Sequence, residues 1–450
     1  MNYRGTIQYL YDLRKYGFKF GLQNITKLMD ALHNPHRNFR SVHVAGTNGK
    51  GSTAALISSV LRATGLRVGL FTSPHLISFT ERIQVNGREI SGQEVSELTA
   101  EIRETVGNLE DFSPTFFEVV TAMAMVYFKR QEVDIAVVEV GMGGRLDATN
   151  ILVPEVSVLT PVGIDHSQFL GSSLREIARE KAGIVKQSVP VVSALQEPEP
   201  EAVIREVSEE RNSPLFLYGK DFHGSLLSYG LKGLTFDYLD GSCHMKNLFV
   251  PLTGPHQLMN VCVAIKSVLQ TSFDTTLDIS NAAKQGLRSV RWPGRFDLIS
   301  TRPPVIIDGA HNPAAAQALA KTLHQTFGSD SVKLIMVFGI MSDKDIRGIL
   351  SPLLPLAHKV ICTAPRDARA ATPATIAEVV TSLGHPESRT APTVKEALAL
   401  AENLSQEEPR RSDPDEFESL IVVTGSFYTI GEAKEALGET ALFGDLRESL

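Results

Sequence analysis

The sequence predicts an α/β protein whose domains are built on mostly parallel β-sheets. Its first half contains apolar, strand-like runs, which are SVHVAG, RVGLFTS, DIAVVEV, EVSVLT and VPVVSA. Its last third contains further runs, PVIIDGA, KLIMVFG, KVICTA and SLIVVTG. Near-continuous apolar strands that alternate with helical patterns are typical of parallel sheets covered on both faces. At 450 residues, the chain also exceeds one ordinary domain, so at least two domains are expected.

The pattern of elements places a domain boundary near residue 295. Residues 215–252 are turn-rich and alternate in polarity, which predicts a small antiparallel β section attached to the first domain. Residues 256–290 have a helical pattern. The segment RWPGRFDLIS then contains a proline and a glycine, and a new series of strands begins after it. The predicted domains are therefore residues 1–295 and a smaller α/β domain, Rossmann-like, of residues 296–450.

Composition excludes several classes of protein. Hydrophobic residues make up 43% and charged residues 21%, as is usual for globular domains, and the net charge of -7 argues against a nucleic-acid-binding protein. The three cysteines show no metal-binding spacing and suit a reducing compartment. The N-terminus lacks a signal-peptide pattern, and the most apolar helical run, FFEVVTAMAMVYF, is too short to span a bilayer. We therefore expect a cytoplasmic, enzyme-sized protein without nucleic-acid or membrane partners.

The segment SVHVAGTNGKGSTAALISSVLRATG reads as a strand, a glycine loop and a helix. Gly46, Gly49 and Gly51 would let backbone N–H groups converge on a polyphosphate, while Lys50 reaches its outer oxygens. Ser52 or Thr53 could face a metal ion or a phosphate with its hydroxyl. The spacing departs from the common G-x-x-x-x-G-K-[ST] loop, and the alternative is a plain glycine-rich turn before a helix. The complete strand–loop–helix context favours a P-loop ATPase-like first domain.

Polar side chains also follow other strands of the predicted first sheet. Glu139 ends the run DIAVVEV, and in open α/β sheets ligands lie beyond the carboxyl ends of strands. A carboxylate there suits Mg²⁺ held against nucleotide phosphates, although a solvated strand-end acid is the alternative. Asp165 and His166 follow EVSVLT, and Ser73 follows RVGLFT. A structural histidine and an ordinary turn are the simpler explanations of these last two segments.

One lysine is predicted to point inward. In SSLREIAREKAGIVK, Ser173 and Glu176 form a capping-box pattern, which predicts a helix from about Leu174. Helical periodicity then places Lys181 on the apolar face. Such a lysine can extend to water, pair with a buried acid, or lose its proton because burial lowers its pKa. Helical geometry alone favours the first outcome, but a neutral amine would be open to chemical modification.

Together the motifs of this chain resemble those of the dihydrofolate synthase/folylpolyglutamate synthase family, within the Mur ligase superfamily. The segments that carry the resemblance occur in order, and they are AGTNGKGS, TSPHL, TERI, TFFEVVTA, EVGMGGRLDATN, GIDHSQFLG, REKAGI, GPHQLMN, WPGRFD and DGAHNP. The resemblance extends from GFKFGL near the N-terminus to VTGSFY near the C-terminus.

This resemblance implies an ATP- and Mg²⁺-dependent amide ligase. ATP would phosphorylate a folate-type carboxylate, and the amine of L-glutamate would attack the acyl phosphate and expel phosphate. Metal ions and basic groups must neutralise the anions that meet in such a site. The loop GGRLDATN resembles the version in bacterial chains that act on dihydropteroate. We therefore expect dihydrofolate synthase activity, with folylpolyglutamate synthase activity on reduced folates in the same chain, and a monomer.

The resemblance also implies roles for individual residues. The ATP site would comprise Thr47, Asn48, Gly49, Lys50, Gly51, Ser52, Asn260, Arg295 and Asp308. Ser73 and Glu139 match positions of a first magnesium, and His166 and Lys181 match a second, with Lys181 carbamylated by CO₂. The catalytic group would be Lys50, His166, Lys181 and His311.

A second set of residues is implied for the pterin or folate substrate. It comprises Arg82, Thr115, Phe116, Phe117, Glu118, Leu146, Asp147 and Ala148. From the residues alone, Phe116 and Phe117 could equally be core. Arg295 could form a boundary salt bridge, and Asp308 could be an acid at a helix N-terminus.

Three other functions compete with this interpretation. The nearest is a Mur-type ligase that joins an amino acid to a cell-wall precursor, which the pterin-side segment and GGRLDATN argue against. The second is a regulatory or transport ATPase without ligase chemistry. The third, a dinucleotide dehydrogenase, lacks a G-x-G-x-x-G fingerprint with a downstream ribose-binding acid. Because the glycine loop and DGAHNP fall in different predicted domains, we also expect domain closure to assemble the site.

Overall fold

Three β-sheets organise the chain. The structure is a computed structural model that describes residues 2–13, 17, 21–272, 278–328, 332–385, 387–406 and 418–438. The helices of this part of the chain are α1 (Tyr3–Asp12), α2 (Gln23–Ala31), α3 (Lys50–Ala63), α4 (Gly92–Gly107), α5 (Phe116–Arg130), α6 (Ser167–Leu170), α7 (Leu174–Ala182), α8 (Pro198–Glu210), α9 (Pro255–Leu269), α10 (Ile279–Ser289), α11 (Pro313–Phe327), α12 (Ile346–Leu350), α13 (Pro373–Ser382), α14 (Val394–Gln406) and α15 (Phe427–Ala436).

The first sheet is mostly parallel, as its apolar runs predict. Its strands are β1 (Arg40–Ala45), β2 (Val68–Phe71), β3 (Ile83–Val85), β4 (Arg88–Glu89), β5 (Ile135–Glu139), β6 (Val156–Leu159), β7 (Val191–Ser193) and β8 (Leu215–Leu217). They lie in the order β4-β3-β2-β5-β1-β6-β7-β8, and the six strands from β2 to β8 in this order are parallel. Helices α3, α9 and α10 pack on one face, and α1, α2, α4 and α5 cover the other. The carboxyl ends of β1, β2, β5 and β6 therefore meet at one edge.

Two details of this sheet differ from the sequence-based expectation. The β3–β4 hairpin was not predicted, although its turn has a readable signal: Asn86 and Gly87 have φ values of 51° and 74°, as a type I′ turn requires. The expected antiparallel section was placed too early, because Leu215–Leu217 pairs in parallel with β7 and closes the first sheet. A three-residue strand beside a turn-rich region carries too little pattern to reveal its partner.

The second sheet is the small antiparallel section. Its strands are β9 (Phe222–Gly230), β10 (Gly233–Asp240) and β11 (His244–Val250), in the order β11-β10-β9. Phe222, Phe236, Tyr238 and Leu248 point into the same core as α3 and α9. This sheet therefore belongs to the packing of the first sheet.

The third sheet forms the C-terminal α/β unit. Its strands are β12 (Asp297–Thr301), β13 (Pro304–Asp308), β14 (Lys333–Phe338), β15 (Ala357–Cys362), β16 (Ser388–Thr390) and β17 (Ser419–Thr424), in the order β12-β13-β17-β14-β15-β16. All neighbours are parallel except β12 and β13. Helices α11, α12 and α13 cover one face, and α14 and α15 cover the other. The α/β class is thus confirmed, while the division after residue 295 stays a proposal.

Across the described ranges, every helix is too short or too polar to cross a bilayer.

Candidate active site

The phosphate loop, residues 46–52, joins β1 to α3. Gly49 caps the N-terminus of α3 with a φ of 85°, a left-handed conformation that favours glycine. A Cβ atom there would lie 2.9 Å from Oδ1 of Asn260, because α9 packs directly against the loop. Lys50 is the first residue of α3, and its Nζ donates a hydrogen bond to the carbonyl of Thr47 at 3.2 Å. The lysine therefore lies folded over the loop, beside the free N–H groups of the helix N-terminus.

The loop is fixed to the end of a neighbouring strand. The hydroxyl of Thr47 donates to the carbonyl of Gly163 and accepts from the N–H of the same residue, both at 2.9 Å. Ser52 lies in the first turn of α3 and is only 2% exposed. The predicted nucleotide loop is therefore locked to the segment that carries Asp165 and His166.

A buried carboxylate lies against the first turn of α3. Glu139, at the end of β5, is 3% exposed and accepts a hydrogen bond from the N–H of Ser73 at 3.0 Å. A Cβ atom on Gly51 would be 3.4 Å from its Oε2, so the carboxylate touches the phosphate loop. Burial raises the pKa of Glu139, and the charge of Lys50 opposes this shift. The structure thus brings together Glu139 and Ser73, the two residues predicted for a first magnesium.

Lys181 is buried and does not extend to water, which is the outcome that helical geometry alone favours. Helix α7 begins at Leu174 behind a Ser173–Glu176 capping box, as predicted. The Lys181 side chain stays 4% exposed, and its Nζ donates a hydrogen bond to the carbonyl of Gly46 at 2.8 Å. Burial lowers the pKa of Lys181 to about 7, and the neighbouring charge of Lys50 adds to this effect. An appreciable fraction of the amine is therefore neutral near pH 7.

Asp165 gathers charged and polar groups from both halves of the chain. Its carboxylate accepts from Nζ of Lys344 at 2.9 Å and from Nδ2 of Asn312 at 3.3 Å. Nε2 of His311 lies 3.8 Å away, and Nε2 of His166 lies 4.0 Å away. Burial alone would raise the pKa of Asp165, but these neighbours together lower it, so the carboxylate stays ionised.

A second contact joins the phosphate loop to the C-terminal unit. Asn48 and Asn312 exchange side-chain amide hydrogen bonds at 3.2 and 3.0 Å. Asn312 belongs to the DGAHNP segment that follows β13 and caps α11. His311 in the same segment donates from Nδ1 to the carbonyl of Gly309 at 2.8 Å, which leaves Nε2 facing Asp165. The DGAHNP segment thus contacts both the phosphate loop and Asp165.

Arg295 and Asp308 lie close together at the start of the C-terminal sheet. The guanidinium of Arg295 is 4.4 Å from the centre of the Phe427 ring. Asp308 ends β13 and accepts hydrogen bonds from the N–H groups of Phe296 and Ala310, both at 2.9 Å. Burial raises the pKa of Asp308, and the charge of Arg295 opposes the shift.

The predicted substrate residues near α5 differ in burial: Phe117 is partly exposed, and the other three are buried. Thr115 and Glu118 form a capping box at the start of α5, with the Thr115 N–H donating to Oε2 of Glu118 at 2.7 Å. Phe116 belongs to the core. Phe117 is half-buried and lies over Gly141, where a Cβ atom would meet its ring at 2.4 Å. The structure therefore brings Phe117 to the loop that carries the other predicted substrate residues.

That loop, residues 141–151, is shaped by a buried acid. Asp147 accepts from the N–H of Met142 at 2.9 Å and from the N–H of Thr149 at 3.0 Å. Burial raises the pKa of Asp147, and its hydrogen bonds oppose the shift. Leu146 is partly exposed beside it, and Ala148 is buried.

Arg82 lies beside the start of α5 and the segment that follows β2. It is 1% exposed, donates from Nε to Nδ1 of His75 at 2.8 Å, and lies 5.5 Å from the centre of the Phe116 ring. These contacts place it behind the segment that follows β2.

Protein groups alone do not form a complete metal cage. No cluster of three or more His, Cys, Asp or Glu side chains is arranged to hold a metal ion within the described ranges. His166 lies beside Asp165, whereas Lys181 contacts Gly46. The predicted roles of these residues in metal binding stay predictions.

Sequence reasoning missed the groups that join the two halves. Asn312 and Asp165 were inside recognised motifs but had no assigned role, and Lys344 was not singled out. Lys344 lies in the segment after β14, which ends at Phe338, so its signal was weaker than that of Glu139, which itself ends a buried parallel strand.

The comparisons with known families agree with this geometry. Residues 44–268 match the Mur ligase middle domain, and residues 294–427 match the Mur ligase, glutamate ligase domain. A phosphate loop on the first unit that faces a glutamate ligase domain on the second defines an ATP-dependent ligase of the Mur type.

Comparison with individual relatives identifies the family within the Mur ligases to which the chain belongs. The chain is 32% identical to dihydrofolate synthase/folylpolyglutamate synthase of Bacillus subtilis, over 97% of this chain and 99% of that protein. Mycobacterium tuberculosis folylpolyglutamate synthase complexed with ADP superposes with a TM-score of 0.88 at 33% identity, covering 98% of this chain and 100% of that one. E. coli FolC in complex with DHPP and ADP gives a TM-score of 0.85 at 30% identity, covering 97% and 98%. The chain belongs to the dihydrofolate synthase/folylpolyglutamate synthase family.

The packing around Gly49 gives a test of the nucleotide site. Replacing Gly49 by alanine should weaken ADP binding by about tenfold or more, because the new Cβ atom adds backbone strain and crowds Asn260. Isothermal titration calorimetry with ADP measures the effect.

Gly65 offers a matched control at the other end of the same helix. Its φ is 91°, but a Cβ atom there would meet nothing within 4 Å. Gly65→Ala should carry similar backbone strain and keep ADP affinity within about twofold. Equal ADP affinities for the two variants would contradict the assigned nucleotide site.

Proposed function

We propose that this protein joins L-glutamate through an amide bond to dihydropteroate, and also to reduced folates, with hydrolysis of ATP to ADP and phosphate. The observation that carries the proposal is the Asn48–Asn312 pair, at 3.0 to 3.2 Å, which sets the phosphate loop against the glutamate ligase domain. A nucleotide on the loop would present its terminal phosphate to groups from both halves. This arrangement suits transfer of that phosphate to an acceptor held in the same cleft.

The acceptor is assigned from the groups beside the phosphate loop. Phe117 and the 141–151 loop offer an aromatic ring and a partly exposed Leu146 next to the carboxyl end of β5. A flat pterin ring suits such a surface, and a carboxylate at its far end would point to the nucleotide. E. coli FolC with DHPP and ADP is a structural relative, which supports this choice. The GGRLDATN sequence favours activity on dihydropteroate.

The proposed reaction proceeds through an acyl phosphate. A carboxylate oxygen of the acceptor attacks the γ-phosphorus of ATP, and ADP leaves. The glutamate amine, having lost a proton, attacks the acyl carbon, and the tetrahedral intermediate expels inorganic phosphate. Lys50 and the N–H groups of α3 bind the phosphates and offset their charge while the two anions meet. Closing the C-terminal unit over the loop would exclude water from the acyl phosphate.

Magnesium binding fits the residues near the phosphate loop. Glu139 provides a buried carboxylate and Ser73 a hydroxyl, both beside α3. Mg²⁺ commonly uses one or two carboxylates together with substrate phosphates and waters, so an incomplete protein cage is expected. When bound, Mg²⁺ would neutralise phosphate charge and make the γ-phosphorus more electrophilic.

Lys181 is proposed to act as a carbamate. Its neutral nitrogen would attack CO₂ and lose a proton, which gives a carboxylate on the lysine arm. Near pH 7 this is feasible, because burial lowers the pKa of Lys181 to about 7. Nζ lies 2.8 Å from the carbonyl of Gly46, so the added carboxylate would sit beside the phosphate loop. With His166, it would supply ligands for a second Mg²⁺.

The proposal involves small-molecule partners and a monomeric chain, without nucleic acid or membrane. The three cysteines are unpaired, which fits the reducing environment of the cytoplasm.

A substrate panel tests the function. Purified protein is incubated with ATP, L-glutamate and one of three acceptors: dihydropteroate, tetrahydrofolate or a muramyl precursor. We expect amide product and phosphate release with dihydropteroate and tetrahydrofolate, and phosphate release should require both acceptor and glutamate. Turnover of the muramyl precursor alone would favour a cell-wall ligase, and acceptor-independent phosphate release would favour a plain ATPase.

The carbamate has a separate test. Lys181→Ala should lower the ligation rate by roughly a hundredfold or more, because charge stabilisation in the site is lost. Added acetate should restore part of the rate, and native mass spectrometry should find one CO₂ on the wild type but none on the variant. Lys50→Ala is the matched control, since it removes a neighbouring cation that acetate cannot replace. An unmodified wild-type lysine, or a fully active Lys181→Ala variant, would contradict the assignment.

A further inference from the structure

His43 is a polar residue in the middle of β1, a central strand of the first sheet in which five of six residues are buried. It lies on β1, opposite Val138 of β5 and Ser157 of β6, and is fully buried. A histidine in a parallel strand covered on both faces costs free energy unless it makes a hydrogen bond. Val42 and Val44, on either side of it, point into the core on the opposite face. His43 therefore faces the side on which the 141–151 loop lies.

The side-chain hydrogen bond from His43 to Thr149 starts a series of hydrogen bonds that ends in that loop. Nε2 of His43 lies 2.8 Å from the hydroxyl of Thr149, and this hydroxyl lies 2.5 Å from Oδ1 of Asp147. Both oxygens of Asp147 already accept backbone N–H groups, and the Thr149 hydroxyl also donates to Oδ1, so this hydroxyl accepts from His43. The ring proton is therefore assigned to Nε2. Burial lowers the pKa of His43 to about 3, so the ring keeps a single proton at physiological pH.

Asp147, the last member of this hydrogen-bond series, shapes the loop on the substrate side of the site. Asp147 caps the short 3₁₀ helix Ala148–Ile151 and holds the N–H of Met142 at 2.9 Å, which closes residues 142–147 into a compact turn. The same loop is fixed to α7, because the Arg145 N–H donates to the carbonyl of Glu180 at 2.7 Å. Thr149 and Asp147 thus tie the loop to a rigid strand whose own end forms the phosphate loop.

We propose that His43 is a positioning residue for the acceptor substrate: its Nε2–H donates to Thr149, which orients Asp147 and holds the 141–151 loop in register with the phosphate loop. This inference rests on the proposed function, in which that loop contacts the pterin. His43 touches neither ATP nor acceptor, and it acts through Thr149. Its loss should therefore affect acceptor binding much more than nucleotide binding.

Four variants test the hydrogen bonds that link His43 to Thr149 and Asp147. His43→Leu removes the donor, and Thr149→Val removes the next link while nearly keeping its shape. His43→Gln keeps an amide donor at a similar reach. Val42→Ala is the stability control, because it trims a buried side chain of the same strand on the opposite face. The measurements are KM for dihydropteroate, KM for ATP, the thermal midpoint, and hydrogen exchange of peptides that cover residues 141–151.

His43→Leu and Thr149→Val should each raise KM for dihydropteroate by about tenfold, as expected when a buried hydrogen bond is lost, with KM for ATP within about twofold. Exchange in residues 141–151 should accelerate in both, His43→Gln should recover most of the loss, and Val42→Ala should lower only the thermal midpoint. If His43 were purely structural, its variants would behave like Val42→Ala. His43→Gln would then have no lower KM for dihydropteroate than His43→Leu, and exchange of the loop would be unchanged. Either result would overturn the proposal.

Failure of the proposed function is distinguishable from failure of this inference. Absence of wild-type turnover on dihydropteroate would refute the function. Hydrogen exchange of the loop can be measured without turnover. Faster exchange of residues 141–151 in His43→Leu and Thr149→Val would still support the inference, and unchanged exchange would refute it.

Discussion

The carboxylate of Asp165, whose side chain is only 10% exposed, makes the contacts on which the assembled site depends. It accepts from Lys344 at 2.9 Å and from Asn312 at 3.3 Å, and both partners come from the C-terminal unit. Ions removed from water cost free energy unless good partners replace the lost hydration, so this carboxylate selects one arrangement of its neighbours. Because Asp165 follows β6, that arrangement sets the DGAHNP segment at the carboxyl edge of the first sheet. The phosphate loop lies at the same edge.

Strand β1 is the common frame for the rest of the site. Its end forms the phosphate loop, the carbonyl of Gly46 anchors Lys181 at 2.8 Å, and His43 in its middle reaches the 141–151 loop through Thr149. The phosphate loop, the Lys181 side chain and the 141–151 loop are thus all positioned by the same strand, β1. A ligase that must bring a carboxylate to a phosphate gains most of its rate from such positioning and from offset charge.

Local sequence patterns predicted the parts of this architecture that local physics determines. Apolar runs predicted β1, β5 and β6 because a strand buried on both faces has little room for polar residues. The capping box predicted the start of α7 at Leu174. Helical periodicity placed Lys181 on the inner face of α7, but its hydrogen-bond partner could not be predicted, because the carbonyl of Gly46 is 135 residues away. The Asp165–Lys344 contact spans 179 residues, and neither residue has a local pattern that indicates its partner. The short strand β8 was misassigned because pairing, rather than its own three residues, decides its sheet.

A double-mutant cycle on Asp165 and Lys344 tests most directly whether one contact across the two units assembles the ligase. The ligation rate is measured for Asp165→Asn, Lys344→Met and the double variant, with ADP affinity measured alongside. Each single change should slow ligation, and the double variant should be no slower than the worse single one, while ADP affinity stays within about twofold. Losses that multiply in the double variant, or full ligation by Asp165→Asn, would contradict the account.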